Sequence, residues 1–373
     1  MHRLTDAYRV FFIIKNKNKK IILINGFFLC RRLTGIERYA YEITKRLDLL
    51  CRLNEIAIII PKNIKNIPEY KNIKIIRYGK SIQHVLWQMF TLQWFLLTNS
   101  RYTVLEFGNT ALPFAPGIVF LHDIYCELFP NDFSGLKDKI IRAYNRWQYR
   151  LISKKAKIIA TVSQYSKNEI SKTFKINPEN INVIYSSADH IKSFNSDFSI
   201  FNDFPVLQEK PFYFSLGSLS KRKNIRWIIE YAAKHPQSNF ALSGTSLSTV
   251  KVKELEDTLP ENIILLGYLN DEKVKALMSK CKAFILPSYY EGFGLTPLEA
   301  LSCGAQVIVA NCASLPEVYG NCAHYIDPYS TDIDLDNLLQ QPVEKPDALF
   351  DKYSYDKAAE KVLNIIKNVN NIT

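Results

Sequence analysis

Short runs of β-branched and other apolar residues recur along this chain without alternation, and stretches with helical spacing separate them. A strand that is apolar on both sides must be covered on both faces, so the pattern demands parallel sheets sandwiched between helices. In the first half the runs fall at residues 21–24, 56–60, 73–76, 118–121, 158–162 and 181–184. In the second half they fall at 212–216, 240–242, 263–265, 283–286 and 306–309. Between the halves, residues 189–210 carry Ser, Asn, Asp and Phe in no period and end before Pro211, the composition of a joint. We therefore expect an α/β protein divided into residues 1–190, a linker over 191–210, residues 211–352, and a terminal helix over 353–373 that packs back toward the first domain. The carboxyl ends of both sheets then open on one cleft, where a single ligand can meet both.

The length of 373 residues fits two such domains, and 47% hydrophobic residues with 13 Gly and 16 Pro exclude disordered and collagenous classes. Charge is divided unevenly. Residues 1–200 hold 31 basic and 15 acidic residues (+16), and residues 201–373 hold 17 and 21 (−4), together the +12 of the whole chain. The first half is thus expected to meet something anionic, the alternative being a bias toward Lys and Ile. The seven cysteines form no Cys-x-x-Cys pair and read as reduced thiols of a cytoplasmic protein. The apolar run at 10–14 is too short for a signal-peptide core, and residues 85–97 are too few for the roughly 20 needed to cross a bilayer, so we expect a buried helix there.

Two loops carry the candidate chemistry. After the run at 212–216 come Gly217, then Lys221, Arg222, Lys223 and Asn224, and then a helical pattern from Ile225. A glycine at a strand end followed by a helix N-terminus and two cations could hold two phosphates; the same spacing also fits an ordinary solvated turn. Further on, Glu291 and Glu299 bracket Gly292, Phe293, Gly294 and Leu295, with Pro297 placed to start a helix that carries Glu299 in its first turn. Two carboxylates around such a loop could accept hydrogen bonds from hydroxyls at two ends of one ligand.

These segments, with Gly244, Gly267, and Ala300 after the second glutamate, resemble the family 4 retaining glycosyltransferases, whose paired glutamates eight positions apart are their most specific mark. Thr34 to Tyr39 is similar to that family's N-terminal glycine loop, Leu121-His122-Asp123 to its histidine loop, and Thr161 to Lys167 to the element closing its acceptor domain. The resemblance implies the GT-B fold, two Rossmann-like domains facing each other across a cleft. It implies that Arg222 and Lys223 neutralise the diphosphate of a GDP-, UDP- or dTDP-linked sugar. In the same way, Glu299 would bind the ribose, and Glu291 with Gly292, Phe293, Gly294 and Leu295 would hold the transferred sugar. Gly35 and Gly217 would let backbone approach the phosphates, and His122 would sit beside the reacting carbon, although a histidine there can also be a plain loop residue. Ser218 stands where many members have Arg, which throws the phosphate charge onto Lys223 with Arg222 as substitute.

Loss of the diphosphate leaves negative charge on the leaving group, and fixed cations with a helix N-terminus can stabilise it without a metal. No cofactor and no metal are therefore expected; the only Asp-x-Asp run, Asp332 to Asp336, lies outside the matched segments. The basic half should take the acceptor. Lys137, Lys139, Arg142, Arg146, Arg150, Lys154, Lys155 and Lys157, interleaved with Tyr144, Trp147 and Tyr149, suit a lipid-linked saccharide diphosphate or the anionic inner face of the cytoplasmic membrane; a solvated helix fits equally. The donor segments look most like members that transfer mannose or a related deoxyhexose in surface-polysaccharide assembly. A GT-B sugar-nucleotide epimerase would use the same cleft but lacks the paired glutamates. A nucleic-acid-binding protein is opposed by the absence of any recognised motif, and no Gly-x-Gly-x-x-Gly follows the first strand as an oxidoreductase would require.

Overall fold

The computed structural model describes residues 20–372 except 34, 66, 81–82, 218–219 and 245–258. The apolar run at 10–14, Thr34 and Ser218 lie outside the described residues. Two all-parallel sheets form the frame. The first has seven strands, β1 (Ile21–Asn25), β2 (Ile56–Ile60), β3 (Lys74–Arg77), β4 (Tyr102–Glu106), β5 (Ile118–Phe120), β6 (Ile158–Thr161) and β7 (Ile181–Val183), in the order β3-β2-β1-β4-β5-β6-β7. The second has six, β8 (Phe212–Leu216), β9 (Asn239–Ser243), β10 (Ile263–Gly267), β11 (Ala283–Leu286), β12 (Val307–Ala310) and β13 (His324–Ile326), in the order β10-β9-β8-β11-β12-β13. The first strand of each sheet is interior, so the loops after β1 and β8 rise where the strand order reverses.

Eleven of these strands occupy the apolar runs; β4 and β13 do not. β4 is interrupted by Thr103 and ends on Glu106, and β13 has three residues beginning with His324, so neither presents an unbroken apolar stretch. The segment 191–210 is more than a polar joint: Ile191, Ile200, Phe201 and Leu207 are buried, and two short helices, Ile200–Asp203 and Val206–Glu209, are wound from it.

Seven helices matter for the site: α1 (Ile36–Leu50), α2 (Leu136–Lys155), α3 (Gln164–Phe174), α4 (Ile225–Lys234), α5 (Asp271–Lys280), α6 (Leu295–Ser302) and α7 (Tyr355–Ile372). α7 returns to the first domain and packs on α1, with Arg46 Nε 2.7 Å from Asp356 Oδ1 and the Arg46 guanidinium over the Tyr355 ring. The stretch 84–98 is helical throughout, with a π-helix over Trp87–Leu92. It is not the buried helix expected of residues 85–97. Trp87, Leu92, Phe95 and Leu96 face the sheet, but Val85, Leu86, Phe90, Trp94 and Leu97 face outward.

Glu106 ends β4 inside the first domain. Its carboxyl accepts both hydrogen bonds from Asn25 Nδ2, at 3.0 and 2.9 Å. Burial pushes its pKa up from 4.5 to about 8, against the lowering pull of Asn25 and Gln88. The folded state thus favours the acid form, and the stability this gives is complete below about pH 4.5 and lost as pH rises through about 8. Glu106→Gln reproduces the acid's donor and acceptor. Its melting temperature should match the parent near pH 5 and exceed it near pH 9, by the equivalent of about 4 kcal/mol. The same difference at both pH values would show a carboxylate ionised throughout.

Candidate active site

The cleft between the domains encloses about 630 Å³, and every site residue expected from the sequence lines it. The first domain supplies one wall. β1 runs into a 3₁₀ turn, Gly26–Cys30, and then through Arg32 to Gly35, which caps α1 at φ +48°. Among the described residues no atom lies within 4 Å of a Cβ at Gly35, so glycine is needed there for its left-handed backbone and not for space. β5 delivers His122, whose backbone N–H donates to Asn109 Oδ1 at 2.7 Å. The ring is buried, edge-on to Tyr39 with centroids 5.3 Å apart, and its Nε2 is 2.6 Å from the carbonyl of Phe107. Burial lowers its pKa against the raising influence of that carbonyl. A carbonyl only accepts, so Nε2 carries the proton of a neutral ring and Nδ1 keeps the lone pair.

The second domain supplies the other wall. Gly217 ends β8, and the carbonyl of Gly217 would lie 1.7 Å from any Cβ at Gly244, so the two loops close only because 244 is glycine. The 3₁₀ turn Lys221–Lys223 then brings two cations onto one carboxylate: Lys223 Nζ is 2.7 Å from Glu291 Oε1 and Arg222 NH1 is 3.0 Å from Oε2. Burial alone would raise the Glu291 pKa, but Lys223 and Arg222 outweigh it and hold the group below the ordinary carboxylate range. Arg222 also lies over the Tyr125 ring of the first domain at 5.6 Å.

Gly294 at φ +82° turns the chain into α6, which begins at Leu295, two residues earlier than Pro297. Glu299 therefore stands in the second helical turn and not the first as expected. Of the two helix starts, it is α6 whose first residues enter the cleft: Gly294, Leu295 and Thr296 line it, whereas Asn224 and Ile225 of α4 do not. The buried Thr296 Oγ1 has no partner among the described residues, so free N–H groups and a free hydroxyl converge where an anion could bind.

Several residues that line the cleft or join the two domains have no role predicted from the sequence. His190, in the 3₁₀ turn Asp189–Ser193 that leaves the first domain, places Nε2 2.9 Å from Glu299 Oε1. The joint thus grips a carboxylate of the second domain. Arg38 pairs with Asp271 at the start of α5. Glu317 of the second domain accepts from the backbone N–H groups of Gln164 and Tyr165 of the first, both at 2.7 Å, at the N-terminus of α3. Ser166 Oγ donates to the carbonyl of Gly292 at 3.2 Å, and the Ile124 N–H donates to Tyr290 Oη at 3.2 Å. Arg38 falls within the glycine-loop segment singled out from the sequence, but His190 and Glu317 become visible only when distant segments meet.

The basic helix resolves into two kinds of residue. Arg146 and Arg150 pair with Glu127 at 2.7 and 3.4 Å, Arg142 donates to the carbonyl of Cys126, and Tyr149 is buried. Lys137, Lys139, Lys154, Lys155 and Lys157 are exposed. The Asp332 to Asp336 run is structural: Asp334 caps the turn after it, and Asp336 pairs with Lys282 at 2.5 Å. Among the described residues no group of three or more His, Cys, Asp or Glu is placed to hold a metal ion. The seven cysteines are free.

Two parallel-sheet domains facing across a cleft, with paired glutamates and two cations on one wall, define a glycosyltransferase of the GT-B fold. The chain belongs to the family 4 glycosyltransferases: residues 33–190 match the model for Glycosyltransferase Family 4 and residues 197–369 that for Glycosyl transferases group 1. It is 28% identical over 340 residues to O-antigen chain mannosyltransferase B of Escherichia coli, covering 83% of this chain and 87% of that protein. It is 27% identical over 263 residues to O-antigen chain mannosyltransferase RfbU of Salmonella typhimurium, covering 66% of this chain and 68% of that one. The crystal structure of Anabaena HepE in complex with UDP-glucose shares the fold at a TM-score of 0.66 and 19% identity, covering 94% of this chain and 100% of that one.

Proposed function

We propose that this enzyme transfers mannose or a related hexose, with retention of configuration and without a metal, from a nucleotide-diphosphate donor to a lipid-linked saccharide in surface-polysaccharide assembly. The reading rests above all on the carboxylate of Glu291 shared between Lys223 and Arg222 beside the start of α6. A diphosphate entering there meets two cations and the open N–H groups of a helix, which together stabilise the charge that develops as the sugar leaves. Glu291 and the Gly292–Leu295 backbone then face the sugar hydroxyls, and Glu299, held by His190, faces the ribose. His122 accepts a hydrogen bond at Nδ1 from the sugar, while the departing phosphate takes the acceptor's proton. The two O-antigen mannosyltransferases favour mannose and a polysaccharide product, and HepE's bound UDP-glucose favours a nucleotide-linked donor. The exposed lysines of α2 and the positive first domain support an acceptor carrying a diphosphate, met at the cytoplasmic face of the membrane.

A thermal-shift panel of GDP-, UDP- and dTDP-linked sugars in EDTA tests this. The true donor at 100 times its dissociation constant should add about 2.7 kcal/mol to stability. Transfer should continue in EDTA, and the product's anomeric proton should keep the donor's configuration by NMR. Stabilisation by none of the panel, or turnover abolished by EDTA and restored by a divalent ion, would overturn the reading.

A further inference from the structure

The helical stretch 84–98 inverts the usual arrangement of a surface helix. Its polar Gln88 and Gln93 are buried, while Phe90, Trp94 and Leu97 are 69, 62 and 53% exposed. A helix that is apolar on both faces is expected to be covered on both. The sheet covers one, through Trp87, Leu92, Phe95 and Leu96. Phe114, 73% exposed, stands in a loop held against this helix, its N–H donating to Gln93 Oε1 at 3.1 Å. Isolated exposed apolar residues are ordinary; a contiguous stripe containing Phe and Trp is not.

The charges around the stripe identify what covers it. No Asp or Glu occurs between Glu69 and Glu106, whereas Lys71, Lys74, Arg77, Lys80 and Arg101 do. Lys80 and Arg101, both exposed, flank the helix at its two ends. At the Phe114 side, Lys155 Nζ reaches the carbonyl of Pro113 at 3.3 Å, so the exposed basic end of α2 adjoins the stripe there. An apolar stripe with aromatic rings, on a stretch of chain that carries cations and no acids, matches the boundary between acyl chains and anionic headgroups. We propose that the outer face of 84–98, with Phe114, is the surface on which the enzyme rests on an anionic lipid bilayer. This deepens the lipid-linked acceptor reading above and rests on it. On the inner side of the helix the His84 ring lies 4.8 Å from Phe27, in the 3₁₀ turn that leads to Arg32 and Gly35 on the cleft wall.

Co-sedimentation of the full chain with vesicles of phosphatidylglycerol and phosphatidylcholine tests the surface. The parent should partition onto the mixed vesicles, and the double variant Phe90→Ser, Trp94→Ser should partition at least tenfold less. Its thermal shift with the nucleotide-sugar panel should be unchanged, which separates failure of this surface from failure of the donor reading. Should that variant not fold, Lys80→Glu with Arg101→Glu tests the same surface through its charge and should give the same loss. Partitioning that is unchanged in the variants, or equal on pure phosphatidylcholine, overturns the proposal. So does a parent dimer in sedimentation velocity that the double variant converts to monomer, which would make the stripe a contact between two copies.

Discussion

Replacing Lys223 by Ala should lower kcat by about 10²–10³-fold while leaving the fold intact. Its ammonium is 2.7 Å from Glu291 and lines the cleft beside Gly217, so the substitution removes one of the two fixed cations proposed to meet the leaving-group charge. Glu291 would still be paired, because Arg222 remains 3.0 Å from its other oxygen, and no buried carboxylate is abandoned. A variant that melts near the parent but turns over slowly is therefore expected. The loss should appear in kcat with single-turnover kinetics, since an interaction strengthened in the transition state costs rate more than affinity. A Lys223→Ala enzyme with parental kcat would place the diphosphate elsewhere.

Gly292→Ala should also cost rate and not donor binding, but by a different route, with transfer reduced by about 10²-fold. A Cβ at 292 would lie 2.7 Å from the carbonyl of His122 and 3.2 Å from Asp123 Cβ, in the opposite domain. Backbone stands on one side of that clash and cannot swing away, so the domains must part. Parting strains the Ser166 to Gly292 and Ile124 to Tyr290 hydrogen bonds and draws His122 from the sugar. Misplacement by about 1 Å can cost that much in rate. Arg222, Lys223, Glu291 and Glu299 all move with the second domain, so the nucleotide-sugar thermal shift should persist. Loss of the shift together with transfer would instead mean that the donor loop itself had been distorted.

The contrast between these two variants also shows what was legible in the sequence. Lys223, Glu291 and Glu299 stand in short segments whose spacing reflects one strand, one turn and one helix, and the chain alone marks each as a candidate. The contact that makes Gly292 indispensable joins residues 170 positions apart along the chain, from 122 to 292, and only the fold creates it. His190 and Glu317 are hidden for the same reason. Among strands, the apolar runs identified the sheets wherever both faces were filled with aliphatic side chains. They failed at β4, where a buried acid closes the strand. At 84–98 strong apolarity predicts complete burial, whereas one face of that helix, with Phe90, Trp94 and Leu97, points outward.

One feature of the fold governs how the cleft can open. The polypeptide crosses from one domain to the other twice, through 189–210 and again on entering α7, and the crossings are tied together: Ser187 Oγ donates to the carbonyl of Tyr353 at 2.8 Å, and the Tyr355 N–H donates to Asp189 Oδ2 at 2.9 Å. Two adjacent pins resist twisting and sliding, as on a door, and leave a single swing. The Arg38–Asp271 latch, the Glu317 bridge and the seam at Gly292 should then release in one concerted step, so that spent nucleotide escapes through a wide mouth instead of threading past a half-open one.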